Sequence, residues 1–453
     1  MSINALYAIG AIEKFAFNGL RAMLILFLVG ALRQGDQRAF ETYSFTLAVS
    51  FVLPLLGSLA VRLDVPELSV IEAGFAVGAL GFLVMLSDGR RFFEGLSLVI
   101  VGTGFARSLI PSSLGRLIRE QDPEREQAAF SALYAWFNAG TFLGAILLAG
   151  GGEKSSWRLS FLLGGAALAA GSLLAGRCAK ERVPAIRRAK VLVLMLAALL
   201  TVRFGFLLPT ESVDAVMGVL CVAAPAAMLI LHWRDTRDRA SALTMFVLAL
   251  GVFLFFGLCE HSSTTINVFT DRFVDREVLG LRIPTTFFQA LDPAFNVGVG
   301  ALMVMLLSSR WGRGAPSDPA VRLNSGYAVL ALAFFVLGAA YRSGAGSPAA
   351  LVLFYCALVI SETLFVPAAL ALVSSRSRPG RRTLQMALLY VTIGSSMWWS
   401  SKVGAHFAPA GLRAFGSADF SALFAGLQSM SFVGCLAFAG LYACAQWAGR
   451  IPG

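Results

Sequence analysis

Charged side chains occur near the middle of several long apolar stretches of this sequence. The cations are Lys14, Arg21 and Arg107, and the anions are Glu13, Glu260, Asp292 and Glu362. An ionised group at the centre of a bilayer costs about 2.5–3.5 kcal/mol on insertion scales, so it faces a partner or a water-filled cavity. The cations lie in the first half of the chain and most anions in the second. We therefore predict ion pairs across a central cavity that break as it opens. Static pairs that only hold helices together are the alternative.

Polar side chains repeat at helical spacing around these charges. Lys14, Asn18 and Arg21 are four and then three residues apart, which puts them on one face of a helix. Asn296 follows Asp292 by four residues and shares its face in the same way. This spacing predicts polar stripes that line the cavity rather than isolated charges in lipid.

The composition is that of a membrane protein. Of 453 residues, 57% are hydrophobic and 14% are charged, whereas soluble domains have about 25% charged residues. Apolar runs of roughly 18–25 residues recur along the chain, and each can cross about 30 Å of hydrocarbon. We predict an all-α polytopic membrane protein with about 14 transmembrane helices.

Other classes of protein are not indicated. The formal charge of +11 does not point to nucleic acid, because the Lys and Arg residues lie in short loops between spans. The six cysteines and three histidines have no metal-ligand spacing, so we expect no metal site and no cofactor. No Ser/His/Asp set or phosphate-binding loop lies at a membrane face, and we expect no enzyme activity.

The spans group as six, two and six. We predict an N-terminal six-helix bundle over 1–178, a cytoplasmic loop with an inserted helix pair over 179–240, and a C-terminal six-helix bundle over 241–453. Two bundles joined by a basic loop are typical of a transporter whose substrate site lies between the halves at mid-membrane. Among the predicted spans are Phe40–Ala60, Leu96–Leu117, Leu243–Phe269 and Pro284–Leu307.

Orientation follows from the basic residues of the short loops. If the N-terminus is inside, the cytoplasmic loops hold most of the Lys and Arg, including those of GRCAKERVPAIRRAK and RSRPGRR. Because such residues concentrate on the cytoplasmic side, we predict a multi-pass protein of the inner (plasma) membrane with both termini cytoplasmic.

Several segments resemble motifs of the proton-coupled oligopeptide transporter (POT, or PTR) family of the major facilitator superfamily (MFS). EKFAFNGLR resembles the family's ExxERFxYYG, GTGFARSLIPSSLG its GxGxxKPN, and DPEREQAAFSALYAWFNAGTFLG its DxRRxxxFSxFYxxINxGSL. EHSSTTINVFTDRFVDR, IPTTFFQALDPAFNV and SETLFVPAALALVS resemble three later motifs. Six partial matches in the family's order imply the MFS fold.

The resemblance implies roles by position. Arg21 and Glu260 stand where the family pairs helices one and seven at an outer gate, and Glu260 also matches a proposed proton-coupling carboxylate. Arg107 stands at a helix-four Lys and would bind the carboxylate of a peptide, while Glu362 would bind its ammonium end. The resemblance also implies a role in proton coupling or gating for Glu13 and Lys14 in helix one, and it places Asn138 and Asp292 in the cavity.

The sequence departs from the family pattern at several of these motifs. Gly10 replaces the first Glu of ExxER, and Lys14 replaces its Arg. Phe17 and Asn18 replace the two tyrosines of helix one, and Phe51 stands at a helix-two Tyr. Because tyrosine hydroxyls would hold a peptide backbone, these changes leave the identity of the substrate open.

We therefore expect a proton-coupled symporter of di- and tripeptides or peptide-like solutes, coupled through Glu260 with Glu13 as a second candidate. Its substrate-binding residues would be Arg21, Arg107, Asn138, Glu260, Asp292 and Glu362. We expect a monomer in the lipid bilayer with protons as the coupling ion. The alternatives are a related carrier or exporter of a non-peptide solute, and a non-transporting sensor or assembly protein with the same fold.

Overall fold

A computed structural model describes the chain over residues 2–34, 36–87, 91–118, 123–150, 156–179, 183–263, 265–278, 281–283, 288, 291–299, 302, 318–342, 347–407 and 417–448. The fold is almost wholly helical, as predicted. It packs as two compact units, one of Met1–Leu220 with Val373–Gly394 and the other of Cys221–Leu372 with Ser395–Gly453. The three-part division expected from the sequence stays a prediction.

The first unit begins with helices that correspond to the first six predicted spans. They are α1 (Ile3–Leu26), α2 (Asp36–Val52), α3 (Pro54–Arg62), α4 (Glu67–Met85), α5 (Phe92–Arg107), α6 (Leu109–Ile118), α7 (Pro123–Gly144) and α8 (Trp157–Cys178). Single π-helical turns extend α1 over Phe27–Ala31 and α7 over Ala145–Gly150. The inserted pair follows as α9 (Ala185–Gly205) and α10 (Thr210–Thr236).

The second unit holds most of the remaining elements. They are α11 (Arg239–Cys259), a 3₁₀ turn over Glu260–Ser262, α12 (Thr265–Phe273), a hairpin of β1 (Glu277–Val278) and β2 (Leu281–Arg282), α13 (Pro319–Arg342), α14 (Pro348–Arg376), α15 (Arg382–Phe407) and α16 (Ser417–Ala448). The two strands pair antiparallel. Residues 291–299 are also helical. Helices α10, α14 and α15 each contribute residues to both units.

Three predicted spans have a local break in their α-helical hydrogen-bond pattern. Phe40–Ala60 is interrupted between Val52 and Pro54, and Leu96–Leu117 is interrupted at Ser108. A proline lacks the N–H that would reach the carbonyl four residues before it, and its ring clashes with that carbonyl. Pro54 and Pro111 therefore account for these two breaks. Leu243–Phe269 changes from α11 to the 3₁₀ turn at Glu260.

The described residues include ten helices that are long and apolar enough to cross a membrane. These run over Phe45–Arg62, Glu67–Met85, Phe92–Ile118, Ala128–Leu148, Trp157–Cys178, Glu211–Thr236, Arg239–Ser262, Pro319–Arg342, Pro348–Arg376 and Ser421–Cys444. Helices α1, α9 and α15 are also at least 21 residues long and reach across about 30 Å, although they carry more polar residues. The predicted span Pro284–Leu307 lies largely outside the described residues.

Candidate functional site

Glu13 and Arg107 form a buried ion pair between α1 and α5. The side chain of each is only 1% exposed. Arg107 donates to the same carboxylate oxygen, Oε1 of Glu13, from Nε at 3.2 Å and from Nη2 at 3.0 Å. Charge-assisted hydrogen bonds from two guanidinium nitrogens fix the carboxylate firmly. The sequence singled out both residues, but it did not predict that they pair with each other.

A second cation shares this carboxylate. Nζ of Lys14 lies 3.1 Å from Oε2 of Glu13, and it also lies 5.0 Å from the centre of the Phe137 ring on α7. The buried carboxylate of Glu13 therefore contacts two cations. When all three groups are ionised, the cluster carries one net positive charge. Another anion would balance this charge.

Arg107 also donates a hydrogen bond to a backbone carbonyl of α2. Nη1 of Arg107 donates to the carbonyl oxygen of Ser50 at 3.1 Å. In an unbroken helix this oxygen would accept from the N–H of residue 54, but residue 54 is a proline and has none. The helix break at Pro54 thus supplies the acceptor that Arg107 uses.

Two aromatic rings lie against the guanidinium of Arg107. Its Cζ atom is 4.1 Å from the centre of the Phe17 ring and 4.8 Å from that of Phe51. Aromatic faces attract cations, and the attraction grows when water is excluded. The phenylalanines that replace the family's tyrosines therefore bury the cation, at the cost of hydroxyls that could bind a substrate.

The other polar residues predicted in the first unit have partners within it. Nδ2 of Asn18 donates to Oγ1 of Thr141 at 2.7 Å, and Nε of Arg21 donates to the hydroxyl of Tyr43 at 2.8 Å. Asn138 is half-buried, and its amide donates to the carbonyl of Tyr134 one turn earlier. Asn18 thus ties α1 to α7, while Arg21 ties α1 to α2.

In the second unit, Asn296 lies beside two of the predicted acidic residues. Its Nδ2 atom is 2.7 Å from Oδ1 of Asp292 and 3.5 Å from Oε2 of Glu362 on α14. Asn296 is itself buried. An amide between two carboxylates reduces their repulsion, and the predicted positions Asp292 and Glu362 are thereby brought together.

Glu260 and His261 lie in the 3₁₀ turn that follows α11. Glu260 is half-buried, whereas His261 is fully buried and its Nδ1 atom lies 2.9 Å from Oγ1 of Thr265. Among the described residues, Nε2 of His261 has no hydrogen-bond partner. The pairing predicted for Glu260 with Arg21 joins residues of different units, and it stays a prediction.

A second buried carboxylate, Glu67, was missed by the sequence reasoning. It begins α4 directly after Pro66. Its Oε1 atom accepts from Ser112 at 2.7 Å and from Thr383 at 3.1 Å, and its Oε2 atom accepts from Ser113 at 2.6 Å.

The surroundings of Glu67 suit a carboxylate. Arg116 places Nη2 at 3.0 Å from Oε2, and the positive end of the helix dipole of α4 favours a negative charge in its first turn. The bonds join α4, α6 and the start of α15. The apolar run Val70–Leu86 predicts the third span, and this prediction leaves Glu67 in the preceding loop. Its place after a proline at a helix start was the signal that could have found it.

Glu126 is an acidic residue that lies outside the predicted spans. Burial raises the pKa of the Glu126 carboxyl at the start of α7, against the opposing influence of nearby Arg382. Over the ranges that the structure describes, no three His, Cys, Asp or Glu side chains come together as a metal site.

Comparisons with known proteins agree with the fold. A family model described as the POT family matches residues 68–408. The chain is 22% identical to the uncharacterized transporter YclF of Bacillus subtilis over 87% of its own length and 85% of that protein. It is 24% identical to dipeptide and tripeptide permease A of Cronobacter turicensis, over 82% of this chain and 78% of the permease.

A solved structure is similar throughout. It comes from work on substrate recognition in proton dependent oligopeptide transporters, and the match has a TM-score of 0.73 at 20% identity. It covers 98% of this chain and 99% of the other. The predicted fold class, an MFS fold built from transmembrane helices, is confirmed by this likeness.

Proposed function

The chain belongs to the POT family, and we propose on this premise that it is a proton-coupled symporter of di- and tripeptides or closely similar solutes. Members of this family are transporters, so the expectation that the chain is not an enzyme is confirmed. The match to a dipeptide and tripeptide permease supports a peptide substrate. We further propose that it works as a monomer in the inner membrane, with both termini cytoplasmic and with protons as the coupling ion.

The observation that carries the proposal is the contact of Arg107 and Lys14 with one carboxylate, that of Glu13. A protonated Glu13 would no longer compensate either cation. The carboxylate end of a peptide would then take its place at Arg107, since the guanidinium presents several N–H donors in a fork that suits a carboxylate. Proton binding at Glu13 and substrate binding at Arg107 would thus favour each other, as symport requires.

The second unit would bind the other end of the substrate. Glu362 and Asp292 lie on either side of Asn296, and a peptide's ammonium group would compensate their negative charge. Asn138 would bind the peptide backbone, while Glu260 and Arg21 would act at the outer gate. Because Glu13 contacts both Arg107 and Lys14, it is our first candidate for proton coupling, and Glu260 is the second.

A non-peptide carboxylate is a second candidate substrate. Phe17 and Phe51 cover Arg107 with rings that have no hydroxyl. The site therefore offers fewer hydrogen bonds to a peptide backbone, while it keeps a cation for a carboxylate. This observation favours a smaller or less polar acid over a long peptide.

Uptake into proteoliposomes tests the proposal. The purified protein is given an inward proton gradient and a panel of di- and tripeptides, each with a free and an amidated C-terminus. We expect accumulation of free peptides above empty liposomes and little of the amides, which have no carboxylate for Arg107. Folded protein that accumulates no peptide, but does accumulate a non-peptide acid, would establish the second candidate instead.

A further inference from the structure

An apolar cavity of about 490 Å³ lies between α9, the start of α10 and the segment α2–α3. All of its walls belong to the first unit. Small and aliphatic side chains line it, among them Ala48, Val52, Ala197, Ala198, Val202 and Met217. A space of this size, lined almost wholly by apolar side chains, has room for an apolar ligand.

Both ends of the gap are fixed by contacts. Near the end of α9, the ring of Phe206 lies 4.8 Å from that of Phe45 and 5.4 Å from that of Phe93. A side chain at Gly205 would overlap Phe45. At the start of α9, Arg187 donates to the carbonyl oxygen of Asp64 at 3.1 Å. The helix is therefore held against the bundle at both ends, and the cavity lies along the stretch between them.

The cavity is open to the surroundings of the protein. Two of its lining residues, Leu208 and Val216, are 53% and 58% exposed. At the depth of a membrane span these surroundings are lipid chains. An apolar wall offers no hydrogen bonds to the amide groups of a non-helical peptide segment, which need them at that depth. A hydrocarbon chain needs none.

A basic stripe continues the lining of the cavity along α9. The lining positions of α9 run from Leu194 to Gly205 in alternating steps of three and one residues, so they share one face of the helix. Lys190 and Arg187 lie four and seven residues before Leu194 and fall on the same face. Both are exposed. Lys190 is about 6 Å from Leu194 along the helix axis, and the lined helical stretch from Leu194 to Gly205 is about 17 Å long.

We propose that the cavity binds one acyl chain of an anionic phospholipid, whose phosphate lies against Lys190 and Arg187. The charges stand at the end of the apolar lining, where the headgroup of a lipid lies relative to its chain. Basic side chains between helices at a membrane surface attract anionic headgroups. Arg188, which lines a separate small cavity with Glu72, lies off this stripe.

Native mass spectrometry tests the proposal with the full chain. The protein is purified in detergent and mixed with phosphatidylglycerol and phosphatidylcholine of the same acyl chains. Wild-type protein is expected to retain phosphatidylglycerol about tenfold better than phosphatidylcholine. Ala198→Phe fills the cavity and is expected to lower the retention of both lipids. Leu200→Phe, on the exposed side of α9, is the matched control.

The headgroup contact is tested separately. Lys190→Gln is expected to reduce phosphatidylglycerol retention to that of phosphatidylcholine, whereas its control Arg188→Gln keeps the preference. The proposed site would be overturned if Ala198→Phe and Leu200→Phe retained equal amounts of lipid. It would also be overturned if Lys190→Gln and Arg188→Gln lost the preference for phosphatidylglycerol equally. If the wild-type protein forms a dimer without bound lipid and Ala198→Phe abolishes that dimer, the cavity binds a second copy of the chain and not a lipid. If Ala198→Phe does not fold, Ala197→Leu fills less of the cavity and replaces it.

Discussion

Glu13 on α1 accepts two hydrogen bonds from Arg107 on α5 through a single oxygen, Oε1, and both side chains are 1% exposed. Its other oxygen, Oε2, lies 3.1 Å from Nζ of Lys14. Each cation thus has its own oxygen of one carboxylate. A change at Glu13 therefore affects both cations at once, which makes it the residue on which the proposed coupling depends.

The buried pair predicts a large and unequal cost of mutation. Arg107→Gln leaves Glu13 with Lys14 alone, and removal of one partner of a buried ion pair costs about 3–5 kcal/mol. Arg203→Gln is the control, because Arg203 pairs with Glu94 at 3.4 Å while both are more than one third exposed. Exposed pairs contribute about 0–1 kcal/mol.

Unfolding of the purified variants in detergent, followed by circular dichroism, measures both costs. The double variant Glu13→Gln/Arg107→Gln is expected to be more stable than the sum of the single losses implies, since it leaves no unpaired charge at Arg107 or Glu13. If Arg107→Gln loses no more unfolding stability than Arg203→Gln, the ion pair of Glu13 and Arg107 is not shielded from water.

The close contact of α7 with α1 predicts a steric effect at Gly140. A Cβ atom there would overlap the carbonyl oxygen of Ala11, two residues before Glu13. Gly140→Ala is therefore expected to force the helices apart and to destabilise the protein by about 1–3 kcal/mol.

Gly440→Ala is the matched control on α16, where nothing lies within 4 Å of the added atom. Alanine is the better helix former by about 0.8–1.0 kcal/mol, so this variant is expected to be as stable as wild type or more so. Thermal unfolding compares the two. If Gly140→Ala also unfolds at or above the wild-type temperature, α1 and α7 do not pack as described.

The Glu67 cluster predicts that one carboxylate holds three helices together. Glu67→Ala leaves the hydroxyls of Ser112 and Ser113 without their acceptor, and hydrogen bonds to a charged group contribute about 1.5–3 kcal/mol each. We expect a clear loss of unfolding stability, partly recovered in Glu67→Gln, which retains one acceptor oxygen.

Glu72→Ala, five residues further along α4 and half-buried, provides the comparison for Glu67. Its loss is expected to be under about 1 kcal/mol, as is usual away from buried polar networks. Equal losses at the two positions, measured by the same unfolding assay, would show that the hydroxyl contacts of Glu67 contribute no stability.

The membrane class could be read from the sequence because hydropathy is a local property of each stretch. The site residues were found because charge in an apolar helix is conspicuous. The pairing of Glu13 with Arg107 was not predicted, since it depends on how α1 and α5 pack to bring together residues 94 positions apart. The carbonyl of Ser50 was missed for a similar reason, because its availability depends on a helix break and on a neighbour from another helix.

The central claim is that a proton on Glu13 and a carboxylate on Arg107 favour each other. Its most direct test compares Glu13→Gln with wild type in proteoliposomes that take up a labelled dipeptide. A glutamine at position 13 cannot titrate, so we expect at least a tenfold loss of uptake driven by an inward proton gradient, while exchange of labelled for unlabelled dipeptide without a gradient persists. If Glu13→Gln still concentrates the dipeptide as well as wild type, Glu13 does not couple protons to transport.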